Sequence, residues 1–331
     1  MNMKKRIEFT LTILAVVFGS ACLPFYGFIS GTDREPAGFS IPKADIIYQA
    51  LNHRLSIQDE SNNLIGFVNA DGSGNTLIKL KYRAYNPVFS VEAGGLYFRE
   101  NLTDRIELQG GGGPTYFLSS SGIYKDCGSF YTGQFIFPVL TTSYLLESDS
   151  SEIELADMKT CKVIKRLLEI PTRDPELRVI DSAYPSFSGK SMIFTETFRL
   201  QQKDVIYIMD IETGSVREVL QAGYNASFSP DDQRIAYVGD NGIYIANADG
   251  TGSKLIVRID FNSYWESADR SSSSVETPYP FWSSDGTSLV YHKCTNFDCQ
   301  DLSNFSIYKV DVNSGQEQKI VDGGLYPVWI K

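Results

Sequence analysis

Short apolar segments alternate with polar turns along most of the chain. Between residues 226 and 247, Phe228 ends one apolar segment, a Pro-Asp-Asp turn follows, and further apolar segments lie at residues 235–237 and 243–245. Apolar runs this short, bounded by Asp, Gly, Asn and Ser, predict β-strands joined by tight turns. Outside the first 30 residues no helical periodicity extends beyond a few turns. The pattern therefore predicts an all-β protein.

One sequence phrase recurs down the chain. A strand ends at an aromatic residue, an Asp/Gly turn follows, a second strand also ends at an aromatic residue, and a third strand precedes another tight turn. The aromatic residues that anchor these copies lie about 48 residues apart: they are Phe89, Phe130, Phe187, Phe228, Trp282 and Trp329. This spacing matches a propeller blade of four antiparallel strands, labelled a to d in chain order.

The first copy lacks its strand a. Residues 44–80 supply strands b, c and d, and the surplus strand a lies at residues 326–330. If the C-terminal strand joins the first blade, the ring closes and both sheet edges disappear. We therefore predict a six-bladed β-propeller of four-stranded antiparallel blades, closed by the C-terminal strand.

The repeat resembles that of the TolB-like six-bladed β-propeller family. Residues 279–286 read Tyr-Pro-x-Trp-Ser-x-Asp-Gly, and residues 206–214 read Ile-Tyr-x-x-Asp-x-x-Thr-Gly. The resemblance covers roughly residues 40–331. It implies an extracytoplasmic binding module used for protein contacts. It also implies a chain without the separate N-terminal domain of TolB, because only about 20 residues separate Cys22 from the first predicted strand.

The N-terminus has the pattern of an export signal. A basic cluster at residues 4–6 precedes an uncharged run at residues 9–30, which is typical of a secretory leader. Residues 19–22 read Gly-Ser-Ala-Cys and resemble a bacterial lipobox, which implies lipidation of Cys22. The alternatives are an uncleaved membrane anchor, since 22 uncharged residues can span a bilayer, and a buried N-terminal helix.

These observations predict three regions: a leader or anchor at residues 1–22, a linker at 23–39 and the propeller at 40–331. Basic residues before the apolar run place the propeller outside the cytoplasm, tethered to a membrane, with lipidation favoured over the anchor. The chain has 40 acidic and 30 basic side chains and a net charge of −10, which argues against nucleic acid as a partner. Its two histidines leave few ligands for a histidine-rich metal site.

The long connections fall on one face of the predicted propeller. The a–b and c–d turns are short, whereas long b–c and d–a connections are predicted at residues 165–183, 259–278 and 292–304. The second contains Trp265 and the third begins at His292. Because loops on a rigid scaffold often carry function, we predict that this long-loop face binds a partner. The alternative is that long loops are merely tolerated there.

Five tyrosines precede the predicted strands a and are expected to ring the mouth of the central channel. Tyrosine combines an apolar ring with a hydroxyl, which suits recognition of a peptide or a sugar. The alternative is that these residues only pack between blades. They are Tyr85, Tyr184, Tyr224, Tyr279 and Tyr326.

We predict a non-enzymatic binding or scaffolding module that engages a protein, a peptide or a cell-envelope polymer. No catalytic residue, metal ligand or cofactor is predicted. The alternative is a metal-dependent enzyme that acts on a carbohydrate or a lactone at the channel mouth. Its acid, base or metal ligands would come from His292, Glu100 and Glu196, which lie at similar places in different blades.

The cysteines predict one disulfide. Cys294 and Cys299 share one loop and are expected to form a bridge. Cys127 and Cys161 are predicted on opposite faces of one blade, so we do not expect a bridge between them.

Overall fold

The computed structural model describes residues 41–50, 64–82, 84–90, 94–100, 115–119, 122, 124–126, 133–138, 144–149, 151–157, 162–171, 174–261, 277–296, 299 and 302–330. The chain divides into two compact units, residues 1–31 and 32–331, and every described residue belongs to the second. Within these ranges, no helix is long and apolar enough to cross a membrane. The predicted leader and linker lie outside the described residues.

The described strands form six four-stranded antiparallel sheets. Sheet 1 consists of β1 (Ile46–Ala50), β2 (Leu64–Val68), β3 (Thr76–Lys79) and the C-terminal strand, β24 (Gly324–Trp329). Sheet 2 consists of β4 (Ala84–Ser90), β5 (Gly95–Glu100), β6 (Thr115–Ser119) and β7 (Tyr124–Asp126). Sheet 3 consists of β8 (Gly133–Pro138), β9 (Tyr144–Asp149), β10 (Glu152–Asp157) and β11 (Lys162–Glu169).

The other three sheets follow in chain order. Sheet 4 consists of β12 (Arg178–Pro185), β13 (Ser191–Phe198), β14 (Lys203–Asp210) and β15 (Val216–Leu220). Sheet 5 consists of β16 (Tyr224–Phe228), β17 (Arg234–Gly239), β18 (Gly242–Asn247) and β19 (Lys254–Arg258). Sheet 6 consists of β20 (Phe281–Trp282), β21 (Ser288–Cys294), β22 (Phe305–Asp311) and β23 (Glu317–Asp322), with a short 3₁₀ turn at Leu302–Asn304 before β22.

The architecture is an all-β propeller built from antiparallel four-stranded blades. Strands a of neighbouring sheets contact one another, as β4 contacts β8, and β12 contacts β16. In sheet 1 strand a is β24, and its Trp329 pairs with Ile46 of β1. The predicted pairing of the C-terminal strand with the first strand is therefore present.

Two of the repeated aromatic residues hold neighbouring sheets together. The indole Nε1 of Trp282 donates a hydrogen bond to the backbone oxygen of Ser227 in sheet 5, at 3.3 Å. The indole Nε1 of Trp329 donates to the backbone oxygen of Phe281 in sheet 6, at 3.1 Å. Ser227 and Phe281 occupy the same position in their strands, one residue before the anchor. The repeat therefore places an indole donor where it satisfies a backbone carbonyl of the preceding sheet.

The Asp residues of the a–b turns explain another part of the repeat. Asp285 accepts hydrogen bonds from the hydroxyl of Ser283 at 2.6 Å and from the backbone N–H of Thr287 at 3.0 Å. Asp231 accepts a hydrogen bond from the hydroxyl of Ser229 at 2.5 Å in the same way. These hydroxyl bonds hold the pKa of both carboxyls below the usual value. The Ser-x-Asp sequence thus closes each turn with its own side chains.

The c–d turns pack closely on the preceding sheet. Gly250 has a positive φ of 87°, and a Cβ atom there would lie 2.3 Å from the backbone oxygen of Val219. The guanidinium of Arg217 donates a hydrogen bond to the backbone oxygen of Ala248 in the same turn, at 2.9 Å. Only glycine fits the close approach, which explains the Asp-Gly pair in this turn.

The prediction of strand a in sheet 3 was wrong. Phe130 was expected to anchor this strand, with residues 135–137 in the next one. Instead, residues 135–137 lie in β8, which is strand a itself, and Phe130 lies outside the described residues. Residues 139–143, between β8 and β9, contain no Asp or Gly, so this connection lacks the Asp/Gly turn by which the other copies were recognised.

The predicted connection at residues 165–183 is mostly strand. The strands β11 and β12 occupy all of it except residues 170–177. The strand β11 is an outer strand with its first five residues exposed. Its apolar residues occur as adjacent pairs, at 163–164 and 167–168, and not in the alternation that identifies a half-buried strand. The five tyrosines were expected just before strands a. Four of them lie within those strands instead, and Tyr279 precedes its strand, β20.

Candidate binding site at the centre of the propeller

The inner strands surround a largely apolar cavity of about 270 Å³. Its walls come from β4, β12, β16, β20, β24 and the residues that follow them. Because most of these residues lie where strand a runs into the a–b turn, the cavity is at the short-turn end of the channel. Seven aromatic side chains line it: Phe89, Tyr184, Phe187, Phe228, Phe281, Trp282 and Trp329.

Four of the residues predicted to bind a partner lie together beside this cavity. The ring of Tyr184 contacts that of Tyr279, with the centroids 6.4 Å apart. Tyr279 in turn contacts Tyr326 at 5.5 Å and His292 at 5.9 Å. Tyr184 and Tyr326 are buried, and Tyr279 is partly buried. The rings thus pack on one another, and their role in recognition stays a prediction.

His292 was expected near the surface, after strand b, but it lies within β21 and is fully buried. Its Nδ1 atom accepts a hydrogen bond from the backbone N–H of Tyr326 at 3.3 Å. The neutral imidazole therefore carries its proton on Nε2. The Nε2 atom has no well-formed hydrogen bond, although the backbone of Thr277 lies close to it. His292 follows the aromatic residue of its strand b. The residues at this position in sheets 4 and 5, Thr195 and Val238, are also buried, so the repeat did contain a signal for the burial of His292.

The environment of His292 keeps its ring uncharged. Burial lowers the pKa of His292 to about 3, and the backbone of Thr277 offsets only part of this shift. A group that titrates so far below neutrality is not an imidazolium at pH 7, so it has no acidic proton to transfer, and it is a weak base. His292 is therefore suited to packing between rings and not to acid–base chemistry.

The remaining predicted binding residues are spread over other parts of the molecule. Tyr224 is partly buried and packs against the apolar cluster around Trp282. Tyr85 lies in β4, but its side chain is outside the described residues. Trp265 and the predicted lipidation site Cys22 also lie outside them.

Of the two acidic residues predicted for the alternative enzyme, Glu196 has a described side chain, and it is paired with Arg178 and not with His292. Glu196 is buried in β13, and its carboxylate lies 3.7 Å from the guanidinium of Arg178. Burial raises the pKa of Glu196, and Arg178 partly opposes this. The side chain of Glu100 is outside the described residues. Across the described ranges, no three His, Cys, Asp or Glu side chains come close enough to hold a metal ion.

The loop between β21 and β22 is closed by a disulfide. Cys294 and Cys299 are bonded, with their Cα atoms 5.6 Å apart. Cys299 is fully buried, so the bridge fixes the loop against the end of sheet 6. Cys127 and Cys161 lie outside the described residues.

Sequence reasoning found the cavity residues but gave them another role. Phe89, Phe187, Phe228, Trp282 and Trp329 were identified by their spacing as the aromatic residues that anchor each copy of the repeat. Every one of them also lines the cavity. The signal was their position, since the residue at the end of each strand a must lie near the propeller axis.

Known structures share this arrangement. The crystal structure of TolB from Acinetobacter baumannii superposes with a TM-score of 0.64 at 16% sequence identity, over 86% of this chain and 66% of that chain. The fold is that of a TolB-like β-propeller. The match covers just under two thirds of the length of that TolB chain. At this identity the similarity establishes the fold of the TolB-like propeller and nothing about its partners.

Proteins of different kinds have the same fold. A chain of a nidogen–laminin complex superposes with a TM-score of 0.60 at 11% identity, over 87% of this chain and 98% of that chain. An oligogalacturonate lyase from Vibrio parahaemolyticus superposes with a TM-score of 0.50 at 13% identity, over 84% of this chain and 74% of that chain. A TolB-like propeller fold therefore does not by itself distinguish a binding module from an enzyme.

Sequence comparison adds a partial family match. The model of the dipeptidyl peptidase IV N-terminal region matches residues 186–260, which run from the end of β12 to just beyond β19. No curated protein matches the sequence. The family match covers less than a quarter of the chain, so it supports the propeller repeat in sheets 4 and 5.

Proposed function

We propose that this chain is a closed six-bladed propeller that acts outside the cytoplasm as a non-enzymatic binding or scaffolding module. Its partner is a protein, a peptide or a cell-envelope polymer that inserts an apolar group into the central cavity. The observation that carries this proposal is the aromatic lining of that cavity at the propeller axis.

Contacts between sheets 6 and 1 support the closed ring. The ammonium of Lys309 in sheet 6 donates a hydrogen bond to the backbone oxygen of Ala70 in sheet 1, at 2.8 Å. The bond from Arg217 to Ala248 similarly joins sheet 4 to the c–d turn of sheet 5. Ring closure on the C-terminal strand makes the aromatic cavity a single rigid site, with its walls drawn from distant parts of the chain.

The chemistry of the cavity favours an apolar guest. Its 13 lining residues include no Asp, Glu, His, Lys or Arg, and Ser227 and Ser284 provide their only aliphatic hydroxyls. A volume of about 270 Å³ accommodates one large side chain or a small ring system. Hydrolysis or lyase chemistry needs charged or metal-binding groups at the reacting atoms, so this lining supports binding over the alternative enzyme.

The sequence supports the proposed location. The leader at residues 1–22 directs export, and the disulfide between Cys294 and Cys299 is stable in an oxidising compartment outside the cytoplasm. A membrane tether through lipidated Cys22, or through the uncleaved leader, would hold the propeller at the membrane surface. The long-loop face with Trp265 remains the second place where a partner is predicted to bind.

The experiment closes the cavity without disturbing the core. Ser284 lines the cavity but is itself exposed, so Ser284→Trp places a bulky ring at its mouth. The full-length protein, purified in detergent, is immobilised and exposed to envelope extract, and the retained components are identified by mass spectrometry. Glu218→Trp, on the exposed outer strand β15, is the matched control. We expect partners retained by the original chain and by the control to be lost by Ser284→Trp. Equal retention by all three proteins, or by none, would overturn the proposal.

A further inference from the structure

Three neighbouring strands of sheet 4 each contribute one oxygen-bearing side chain to a small cluster. Thr197 of β13 lies between Asp181 of β12 and Asp204 of β14. The hydroxyl Oγ1 of Thr197 is within hydrogen-bond distance of Oδ2 of Asp181, and it lies 2.5 Å from Oδ1 of Asp204. All three residues are partly buried. The cluster lies at the end of the sheet opposite the a–b turns, next to the connections on the predicted long-loop face.

A β-bulge brings Asp181 into this cluster. Ile180 of β12 pairs with Glu196, and Ser182 pairs with Thr195, so Asp181 is the extra residue on its strand. Thr197 and Asp204, in contrast, form a regular pair between β13 and β14. The bulge allows a third strand to contribute a carboxyl to a site where the regular ladder supplies one hydroxyl and one carboxyl.

The number of hydrogens at the cluster is too small for two ionised carboxylates. A threonine hydroxyl has one hydrogen and donates to only one acceptor. With both carboxylates ionised, the second contact would place oxygen lone pairs against each other. A carboxyl that carries a proton removes this conflict, because its O–H donates to Thr197 while Thr197 donates to the other carboxylate.

We propose that Asp181 and Asp204 share one proton through Thr197, and that this proton forms a pH-sensitive latch across β12, β13 and β14. With the proton present, a chain of two hydrogen bonds joins the three strands. When the proton leaves to solvent, two negative charges face one hydroxyl and repel each other. The latch then opens at the end of sheet 4 that adjoins residues 174–177 and 199–202, so proton loss loosens this part of the long-loop face.

The surrounding charges are consistent with a retained proton. Burial raises the pKa of Asp181, and the charge of Asp204 raises it further, whereas Thr197 and Arg199 lower it. Burial also raises the pKa of Asp204, against the effect of Thr197. Arg199 is the one described cation that acts on Asp181, and it makes no hydrogen bond with it.

Arg178, the other arginine at this end, is paired elsewhere. It contacts Asp174 at 3.0 Å and Glu196 at 3.7 Å, and Glu176 lies near this group.

Lys203 precedes Asp204 in β14, so its side chain points to the opposite face of the sheet. The strands β8, β9 and β16 pack against sheet 4. Neither β8 nor β16 carries a charged side chain, and the side chains of Glu147 and Asp149 in β9 lie outside the described residues. No described cation thus replaces the proton between the two carboxyls.

The direction of the pH effect follows from the raised pKa values. The unfolded chain releases its Asp protons near pH 4, whereas the folded chain retains the shared proton to higher pH. The stabilisation from the latch is therefore fully present below about pH 4 and is lost as the pH rises through the folded pKa.

The test replaces the shared proton with a permanent donor. In Asp204→Asn the side-chain amide donates to Thr197 at every pH, and Asp181→Asn does the same from the other side. Asp240→Asn, at an exposed turn of sheet 5 with no such contact, is the matched control. Thermal midpoints of the full chain are measured from pH 4 to pH 9, and infrared spectra at each pH record the carbonyl band of a protonated carboxyl.

We expect the midpoint of the original chain and of the control to fall by about 2 °C or more as the protonated-carboxyl band weakens. Both cluster variants should lack this fall, and their band should be weaker than that of the control, with Glu196, whose pKa is also raised by burial, still contributing to it. Asp181→Asn provides the same comparison if Asp204→Asn fails to fold. The proposal is overturned if the cluster variants retain the full protonated-carboxyl band of the control at every pH, or if the thermal midpoints of the cluster variants and the control have the same pH profile.

Discussion

Trp282→Phe tests whether the repeated indole joins neighbouring blades. Trp282 is almost fully buried and lies between sheets 5 and 6. The substitution retains an aromatic ring but removes the N–H that donates to the backbone oxygen of Ser227. It also removes part of the ring beneath the guanidinium of Arg234, which lies 4.6 Å from the centroid.

Three contributions determine the expected loss of stability. The hydrogen bond contributes about 1 kcal/mol. The smaller ring leaves a gap in a buried site, which costs about 1 kcal/mol by comparison with large-to-small core substitutions. The weaker cation–π contact costs about 0.5 kcal/mol. We therefore expect the free energy of unfolding to fall by about 2–3 kcal/mol.

Urea unfolding followed by far-ultraviolet circular dichroism measures this change, because the signal does not depend on the substituted tryptophan. The urea concentration at the midpoint should fall, while the dependence of the free energy of unfolding on urea concentration stays unchanged. Trp329→Phe is the comparison, since it loses the equivalent bond to Phe281 from a partly exposed position, and its loss should be about 1–2 kcal/mol. If the free energy of unfolding of Trp282→Phe lies within about 0.5 kcal/mol of that of the original chain, the indole does not join the blades in this way.

Two further predictions concern the turns. Gly250→Ala should lower the thermal midpoint by several degrees, because its Cβ would lie 2.3 Å from the backbone oxygen of Val219, whereas Gly214→Ala, with nothing within 4 Å, should lower it less. Asp285 has a lowered pKa, caused first by the Ser283 hydroxyl and then by Thr287, so its stabilisation is present above pH 4 and is lost as the pH falls through the folded pKa. Asp285→Asn should reduce the acid sensitivity of the thermal midpoint between pH 5 and pH 2, and an unchanged acid limb would contradict this explanation.

The strands and turns were predictable because their signals are local. Alternation of apolar residues, Asp-Gly turns and the recurring aromatic residue identified strands in sheets 1, 4, 5 and 6 close to their observed places. Prediction was wrong in sheet 3, where the connection between β8 and β9 lacks the Asp/Gly turn of the other copies. It was also wrong for β11, because the apolar residues of this strand occur in adjacent pairs and not in alternation.

The site was less predictable because it depends on residues far apart in the chain. The tyrosines and His292 were chosen for their chemistry and their expected exposure, but their burial depends on how the inner strands of different sheets pack together. The cluster of Asp181, Thr197 and Asp204 had no sequence signal at all, because a bulge in β12 brings Asp181 to its partners.

The repeat, the four-stranded unit and the aromatic residue at the end of strand a could be read from the amino-acid sequence, because each rests on contacts within about 50 residues of chain. The three-dimensional packing was needed to show which of those aromatic residues face one cavity, which histidine is fully buried and which carboxyls lie close together. These outcomes depend on sheets that approach one another across the propeller axis, and such distances are not encoded in the spacing of residues along the chain.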